Sequence, residues 1–270
     1  MTDDEMTLPE IDTLDSLVRD AAKRELVPGF GGMDYEYKAD GSVVTAADAA
    51  MQDCLIGILQ QHWPQYQVLG EEMTAEEQQE ILSAEGGYWC IDPLDGTNNY
   101  ATGMPFFATS IALIIDGVVE MGYIHDPMRD ETFSAIRGQG ARLNGAPLKP
   151  PVIPTPDNKL LAEIDLKRLP RELAFRLITE PPFGSQRNIG SSALDWTWLA
   201  AGRYNVYLHG GQHLWDYSAG QLIVAESGGI SCALDGEPVF RNRLEKRSAL
   251  ATLDHGLFER WKEWIGIPVE

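Results

Sequence analysis

Trp89-Cys90-Ile91-Asp92-Pro93-Leu94-Asp95-Gly96-Thr97 carries an apolar strand into a turn bearing two carboxylates. The bulky run Tyr88–Ile91 reads as a buried strand that ends at Asp92, leaving that carboxylate at a sheet edge. Pro93 fixes its own φ and confines Asp92 to extended geometry. Asp95 returns three residues later, so two carboxylates and an intervening backbone carbonyl can converge on one point. Like charges this close are costly without a cation. A Mg²⁺ ion, which takes oxygen ligands in near-octahedral geometry, makes the arrangement favourable. Gly96-Thr97-Asn98 then opens a short helix whose free N–H groups and positive dipole end suit a phosphate. The same spacing also describes an Asp turn that only caps a helix, and the stretch alone leaves both readings open.

Upstream, Ile11, Leu14, Val18 and Ala21/Ala22 recur at helical spacing, and Pro28-Gly29 stops that helix. Tyr35–Lys38 alternates like a strand end. Thr45 with Asp48 resembles a capping box, opening a helix that runs to about His62. Gln67-Val68-Leu69 is a short strand delivering Gly70-Glu71-Glu72, and a polar helix follows. Downstream, Thr109–Ile115 and Val118–Ile124 flank Asp116-Gly117, a hairpin signal. A strand near Thr132–Ile136 extends this antiparallel sheet. Prolines 147, 150, 151, 154 and 156 mark a boundary, dividing the chain into an N-terminal half, 1–146, and a C-terminal half, 147–270. In the second half, strands at Leu160–Ile164, Tyr204–Leu208 and Ile230–Ala233 alternate with helices at Arg171–Thr179, Ser191–Ala201 and Tyr217–Ser227, as in an α/β layer.

The 270 residues include 41 acidic and 21 basic ones, a formal net charge of −20. Nucleic acid is therefore a poor default partner, and an acidic membrane surface is disfavoured for the same reason. Residues 1–150 hold 26 acids against 8 bases, the half in which a binder of hard cations would need its oxygen ligands. With 44% hydrophobic residues the chain can bury a sizeable core. Cys54, Cys90 and Cys232 are far apart and form no CxxC pair, which argues against a disulfide framework or a cysteine zinc site. The acidic N-terminus lacks a signal-peptide pattern, and no apolar run approaches the ~20 residues of a membrane span. These features place the chain in the cytoplasm.

Two further acidic sites accompany the central one. Glu71 and Glu72 sit on a loop at another strand end. Trp215-Asp216 opens the helix at Tyr217, where Asp is also common as a plain N-cap. The five histidines, 62, 125, 209, 213 and 255, form no metal-spaced cluster; His213, three before Asp216, reads as a loop histidine.

Together these motifs resemble the inositol monophosphatase family of Mg²⁺-dependent, lithium-sensitive phosphatases. The family's glycine–glutamate–glutamate element is similar to Gly70-Glu71-Glu72. Its aspartate–proline–x–aspartate–glycine–threonine element resembles Asp92–Thr97, and its tryptophan–aspartate–x–x–alanine–glycine element resembles Trp215–Gly220. Lys38, Val44–Asp48, Gly138–Ala141 with Asn144-Gly145, and Gly190–Ala193 fit further family segments in the same order. The resemblance implies an α+β fold, a layered α-β-α-β-α sandwich, and a hydrolase that is usually a homodimer. It implies two or three Mg²⁺ ions per site: one held by Glu71, Asp92 and the Leu94 carbonyl, a second by Asp92, Asp95 and Asp216, and a weaker third near Glu71. Thr97 and Asp48 would orient and activate the attacking water, with Glu71 counted among the catalytic residues. The Gly96 and Thr97 amides would bind the phosphate, and Asp95, Asp216 and His209 complete the substrate-binding set. Two divalent cations can stabilise both the attacking and the leaving oxygen of an in-line displacement, so no His or Cys nucleophile is needed.

One departure is informative. Inositol-specific members carry a hydroxyl-binding glutamate seven residues before the aspartate of the second metal, and here that position is His209. A carboxylate accepts two sugar hydroxyls, a neutral imidazole one. Lys167, Arg168 and Arg171 form an unusual basic segment that could meet a second anionic group. The resemblance to the family is thus stronger than that to its inositol-phosphate specificity. Relatives hydrolyse fructose bisphosphate, histidinol phosphate and 3′-phosphorylated nucleotides. The expected partner is a small phosphorylated metabolite. The alternative from another class is a regulatory binding role in transcription complexes, known for one bacterial member.

Overall fold

The structure, a computed structural model, describes residues 8–32, 35–37, 43–149 and 157–268. Lys38 and most of the proline-rich boundary, 150–156, lie outside the described residues. Helix α1 (Ile11–Glu25) and the short strands β1 (Tyr35–Tyr37) and β2 (Val43–Thr45) lead into α2 (Ala46–His62). Next come β3 (Gln67–Gly70), α3 (Ala75–Ser83), β4 (Gly87–Asp95) and α4 (Thr97–Thr102). A meander follows: β5 (Ala108–Ile115), β6 (Val118–Asp126), β7 (Glu131–Ile136), β8 (Ala141–Leu143) and β9 (Ala146–Pro147). The remainder is β10 (Leu161–Asp165), α5 (Arg171–Thr179), β11 (Ser185–Arg187), α6 (Ser192–Ala200), β12 (Val206–Gln212), α7 (Leu214–Glu226), β13 (Ile230–Cys232), β14 (Arg247–Thr252) and α8 (His255–Ile265).

Strands β3 to β9 form one sheet in sequence order, parallel only between β3 and β4. A second sheet has the order β11-β10-β12-β14-β13, with β10 parallel to both neighbours and β14 antiparallel to β12 and β13. The period-2 alternation of strand side chains sorts the layers. On β4, Trp89 and Ile91 pack with Leu14 and Val18 of α1 and Met51 and Leu55 of α2. The intervening Tyr88 and Cys90 pack with Trp196 of α6 and Leu222 of α7. On the far side of the second sheet, Ala162, Ile164, Val206 and Leu208 meet Leu177 of α5 and Phe258 and Trp261 of α8. The order is helices, sheet, helices, sheet, helices, the expected five layers. Among the described residues no helix is long and apolar enough to cross a membrane.

The hairpin at Asp116-Gly117 forms as expected, with both residues at positive φ (50° and 73°), the requirement of a two-residue turn matching strand twist. Three expectations need correction. Strand β4 does not end at Asp92 but continues to Asp95. Asp92 faces Ser110 and Asp95 faces Ala108, so one extra residue is absorbed in a bulge, where a proline without an N–H is tolerated. Helix α7 starts at Leu214, not Tyr217, with His213 at its N-cap and Asp216 in the first turn. Strand β12 starts at Val206, not Tyr204, and runs past Leu208 to Gln212 through Gly210-Gly211. Strand β14, central to the second sheet, and helix α8 form beyond Ala233 without an expected counterpart.

Candidate active site

Asp92 shares the β4 face of Tyr88 and Cys90 and so points toward α7. Its Oδ1 accepts the Leu94 amide at 3.0 Å, closing a tight turn inside the bulge. The bulge re-aims the following residues, so Asp95 converges with Asp92 rather than alternating away. Gly96, at φ 95°, caps α4. A Cβ there would press 2.8 Å from the Phe106 carbonyl, so glycine is required both by conformation and by space. Asp216 accepts the His213 amide at 2.8 Å across the first turn of α7. Oxygens of Asp92, Asp95 and Asp216 all lie within 4.8 Å of one another.

Glu71 reaches the same cavity from β3, whose continuation is zipped to β4 by Glu71 N–H to the Ile91 carbonyl at 3.2 Å. Gln52 of α2, unremarked in the sequence, accepts the Glu72 amide at 2.9 Å and steadies this loop. Burial pushes the Asp92 carboxyl well up, and the charges of Glu71, Asp95 and Asp216 push it further. Asp216 is driven the same way by burial and then by Asp95 and Glu71. Each charged pair at 4.8 Å repels by roughly 3.5 kcal/mol at an effective dielectric of about 20. Three ionised pairs would then cost about 10 kcal/mol, comparable to the whole stability of a domain. Such crowding favours a bound proton or cation, and the oxygens that face one another are all carboxylate oxygens.

Thr97 Oγ1 lies 2.9 Å from Asp48 Oδ1 and 3.0 Å from the Leu94 carbonyl. The capping box at Thr45 and Asp48 forms as expected: Asp48 Oδ2 accepts both the Thr45 amide and hydroxyl at 2.7 Å. Burial raises the Asp48 pKa against these hydrogen bonds. Asp95 is held by the start of α6, where Ser191 Oγ and the Ala193 amide each donate to Oδ2 at 2.6 Å. This link across 96 residues had no local signal beyond the Gly190–Ala193 match.

The opposite wall comes from the second sheet. The cavity, of about 390 Å³, is lined by Glu71, Asp92, Leu94, Asp95, Gly96, Thr97 and Asp216 on one side and by Asp165, Lys167, Arg168, His209 and Lys246 on the other. Asp48 stands behind Thr97, and Arg171 begins α5 outside the lining. Asp165 and His209 are Cα partners on adjacent parallel strands. His209, 3% exposed, has Nε2 at 3.4 Å from Asp165 Oδ2 and Nδ1 accepting the Gly211 amide at 3.1 Å. Burial lowers the His209 pKa despite Asp165, and an acceptor Nδ1 requires a neutral ring with its proton on Nε2. The pair is therefore a hydrogen bond from imidazole to an ionised carboxylate, not an ion pair. His213 also lines the cavity, its ring stacked on Trp215 at 4.8 Å. Deeper, Glu163 and Asp195 are buried together; burial holds the Glu163 carboxyl up to about 9 and pushes Asp195 well up.

A sequence model described as the inositol monophosphatase family matches residues 12–264. Inositol monophosphatase 1 of Solanum lycopersicum is 38% identical over 229 residues, covering 78% of this chain and 81% of the tomato protein. The protein named Nus factor SuhB of Pasteurella multocida is 34% identical over 209 residues, covering 74% of each chain. Among solved structures, staphylococcal SaIMPase-II with inositol monophosphate bound superposes with a TM-score of 0.77 at 27% identity, covering 93% of this chain and 91% of that one.

Proposed function

The chain belongs to the inositol monophosphatase family, and from that premise we propose that it is a Mg²⁺-dependent phosphomonoesterase acting on a small phosphorylated sugar or polyol. The observation that carries this reading is the convergence of Asp92, Asp95 and Asp216 within 4.8 Å on a cavity that Glu71 also lines. A set of hard oxygen donors too crowded to be ionised alone fits a hard divalent cation. Glu71, Asp92 and the Leu94 carbonyl would hold one ion, Asp92, Asp95 and Asp216 a second, and Glu71 a weaker third. Bound Mg²⁺ would supply Lewis acidity toward water and phosphoryl oxygens. Thr97 has one hydroxyl proton and two lone pairs. Donating to Asp48, it is left to accept from a water and to orient it. Asp48, whose pKa burial raises, is suited to receive the proton that Thr97 relays. The Gly96 and Thr97 amides at the start of α4 would hold the phosphate. The test is release of inorganic phosphate from a panel of small esters with and without Mg²⁺.

The relatives named Nus factor SuhB favour a second reading, a binding role in transcription complexes carried by the surface. The two are separated by Asp92→Ala, which ends hydrolysis and leaves a surface role intact. Three free cysteines, Cys90 and Cys232 of them buried, support a cytoplasmic setting. The homodimer and lithium sensitivity are inferences from the family, to be read from sedimentation and from inhibition of phosphate release.

A further inference from the structure

The cavity has two chemically different walls, near enough that the Arg168 charge also acts on Asp95 and Asp216. Four carboxylates crowd one, while Lys167, Arg168 and Lys246 line the other, in a chain whose formal net charge is −20. The cationic wall is built. Asp165 Oδ1 accepts the Lys167 amide at 3.0 Å and the Arg168 amide at 3.3 Å, folding Leu166–Arg168 into a single turn. Asp165 Oδ2 lies 3.3 Å from Arg168 Nε and 3.4 Å from His209 Nε2. The same turn lies directly on β12: a Cβ on Gly210 would collide with the Arg168 carbonyl and the Leu169 amide. On the neighbouring position, a Cβ on Gly211 would come within 3.7 Å of Lys246 Cβ. Gly210 thus seats the Arg168 turn against β12, and Lys246 lies in ordinary contact range of the next position.

These cations are not consumed by the fold. The Lys167 and Lys246 ammonium groups have no ion-pair or hydrogen-bond partner among the described residues, and the Arg168 guanidinium uses only Nε, with its side chain half exposed. His209, by contrast, spends both ring nitrogens on Gly211 and Asp165.

We infer that this wall is a second anion subsite: besides the phosphate that is hydrolysed, the substrate carries a second phosphate or carboxylate, bound by Lys167, Arg168 and Lys246. His209 is a positioning residue that holds the Asp165 turn and with it Arg168. The inference rests on the phosphomonoesterase reading and deepens it by naming the substrate class.

The test compares matched esters at saturating Mg²⁺. Fructose 1,6-bisphosphate is set against fructose 1-phosphate and fructose 6-phosphate, and 3-phosphoglycerate against glycerol 3-phosphate, so the two arms distinguish a phosphate from a carboxylate handle. The wild-type chain should prefer the doubly anionic member of at least one set by about tenfold or more in kcat/KM, chiefly through KM, as lost charge-assisted contacts predict. Added salt should shrink that preference. Lys246→Ala and Arg168→Ala should each reduce the preference ratio by about tenfold, and Arg168→Lys should recover only part of it. His209→Ala should reduce it likewise, with His209→Gln, which can still donate to Asp165, restoring it. The wild-type comparison needs no variant to fold. No preference in either set, or equal losses on singly and doubly anionic esters in the Lys246 and Arg168 variants, overturns the subsite while phosphatase activity stands. No Mg²⁺-dependent release from any ester overturns both.

Discussion

Thr97 and Asp48, 49 positions apart in the chain, meet through a 2.9 Å hydrogen bond between Oγ1 and Oδ1. Asp48 spends its other oxygen on the Thr45 cap at the start of α2, so one carboxylate both fixes a helix end and orients the hydroxyl beside the carboxylate cluster. The position of that hydroxyl is tied to two rigid elements, α2 and the β4–α4 turn, rather than to a loose loop.

Removal of this hydroxyl should be costly for turnover and cheap for folding. Thr97→Ala is expected to lower kcat by about 10²–10⁴-fold, the range for a positioned proton-transfer group, with Thr97→Ser retaining most activity. Steady-state kinetics at saturating Mg²⁺ check this, and a Thr97→Ala enzyme within about threefold of wild type would remove Thr97 from the mechanism.

Asp92→Asn should reduce phosphate release by more than about 100-fold, the low end for losing one strong electrostatic group. Without metal, however, the variant should melt higher than the wild type, because it relieves repulsion among Asp92, Asp95, Asp216 and Glu71. Added Mg²⁺ should raise the wild-type melting temperature by linkage and raise that of the variant less. Identical melting of both proteins, with and without chelator, would contradict the crowding.

Two buried groups give opposite pH dependences. Burial first, and then the Arg19 charge, lower the His125 pKa to about 4; unfolded, it titrates near 6.5. Below about 6.5 the unfolded chain takes up a proton that the folded chain refuses, so stability falls as pH drops toward about 4. His125→Gln should flatten this acid limb. Glu163 is held up to about 9 against about 4.3 unfolded, so the folded chain keeps a proton the unfolded one releases. Stability is then lost as pH rises from about 4.3 toward 9. Glu163→Gln should raise the melting temperature at pH 8 relative to pH 5 by more than about 2 °C, the shift that ~1 kcal/mol gives in a chain of this size. Parallel melting curves for the variant and the wild type across that window would refute the assignment.

Inositol 1-phosphate should not give the highest kcat/KM of the ester panel. Both His209 nitrogens are engaged within the chain, so no acceptor for a pair of ring hydroxyls stands at that position. A tenfold preference for inositol 1-phosphate over every other ester would show that its hydroxyls are read elsewhere.

What the sequence makes legible is local. The Asp92–Thr97 turn, the Thr45–Asp48 cap and the Asp116-Gly117 hairpin each need only neighbours a few residues away, and each forms. What it hides is register. Asp165 faces His209 only because β10 and β12 pair in parallel, and Ser191 meets Asp95 only because the start of α6 docks on the end of β4. The Gly210-Gly211 pair lies inside a strand, and Gly210 is there because the Arg168 backbone takes the space a side chain would fill. Strand β14, Arg247-Ser248-Ala249-Leu250-Ala251-Thr252, has one β-branched residue; its pairing on both edges supplies what its propensity does not.

In the proposed function the Asp92, Asp95, Asp216 and Glu71 cluster holds Mg²⁺ for phosphomonoester hydrolysis. The most direct measurement is inorganic phosphate released from the ester panel as Mg²⁺ is titrated into chelator-treated protein. Release should be absent without metal, rise saturably with Mg²⁺, and lose that rise in Asp92→Asn. Equal release with chelator and with saturating Mg²⁺, or no release from any ester at any Mg²⁺ concentration, would contradict that function.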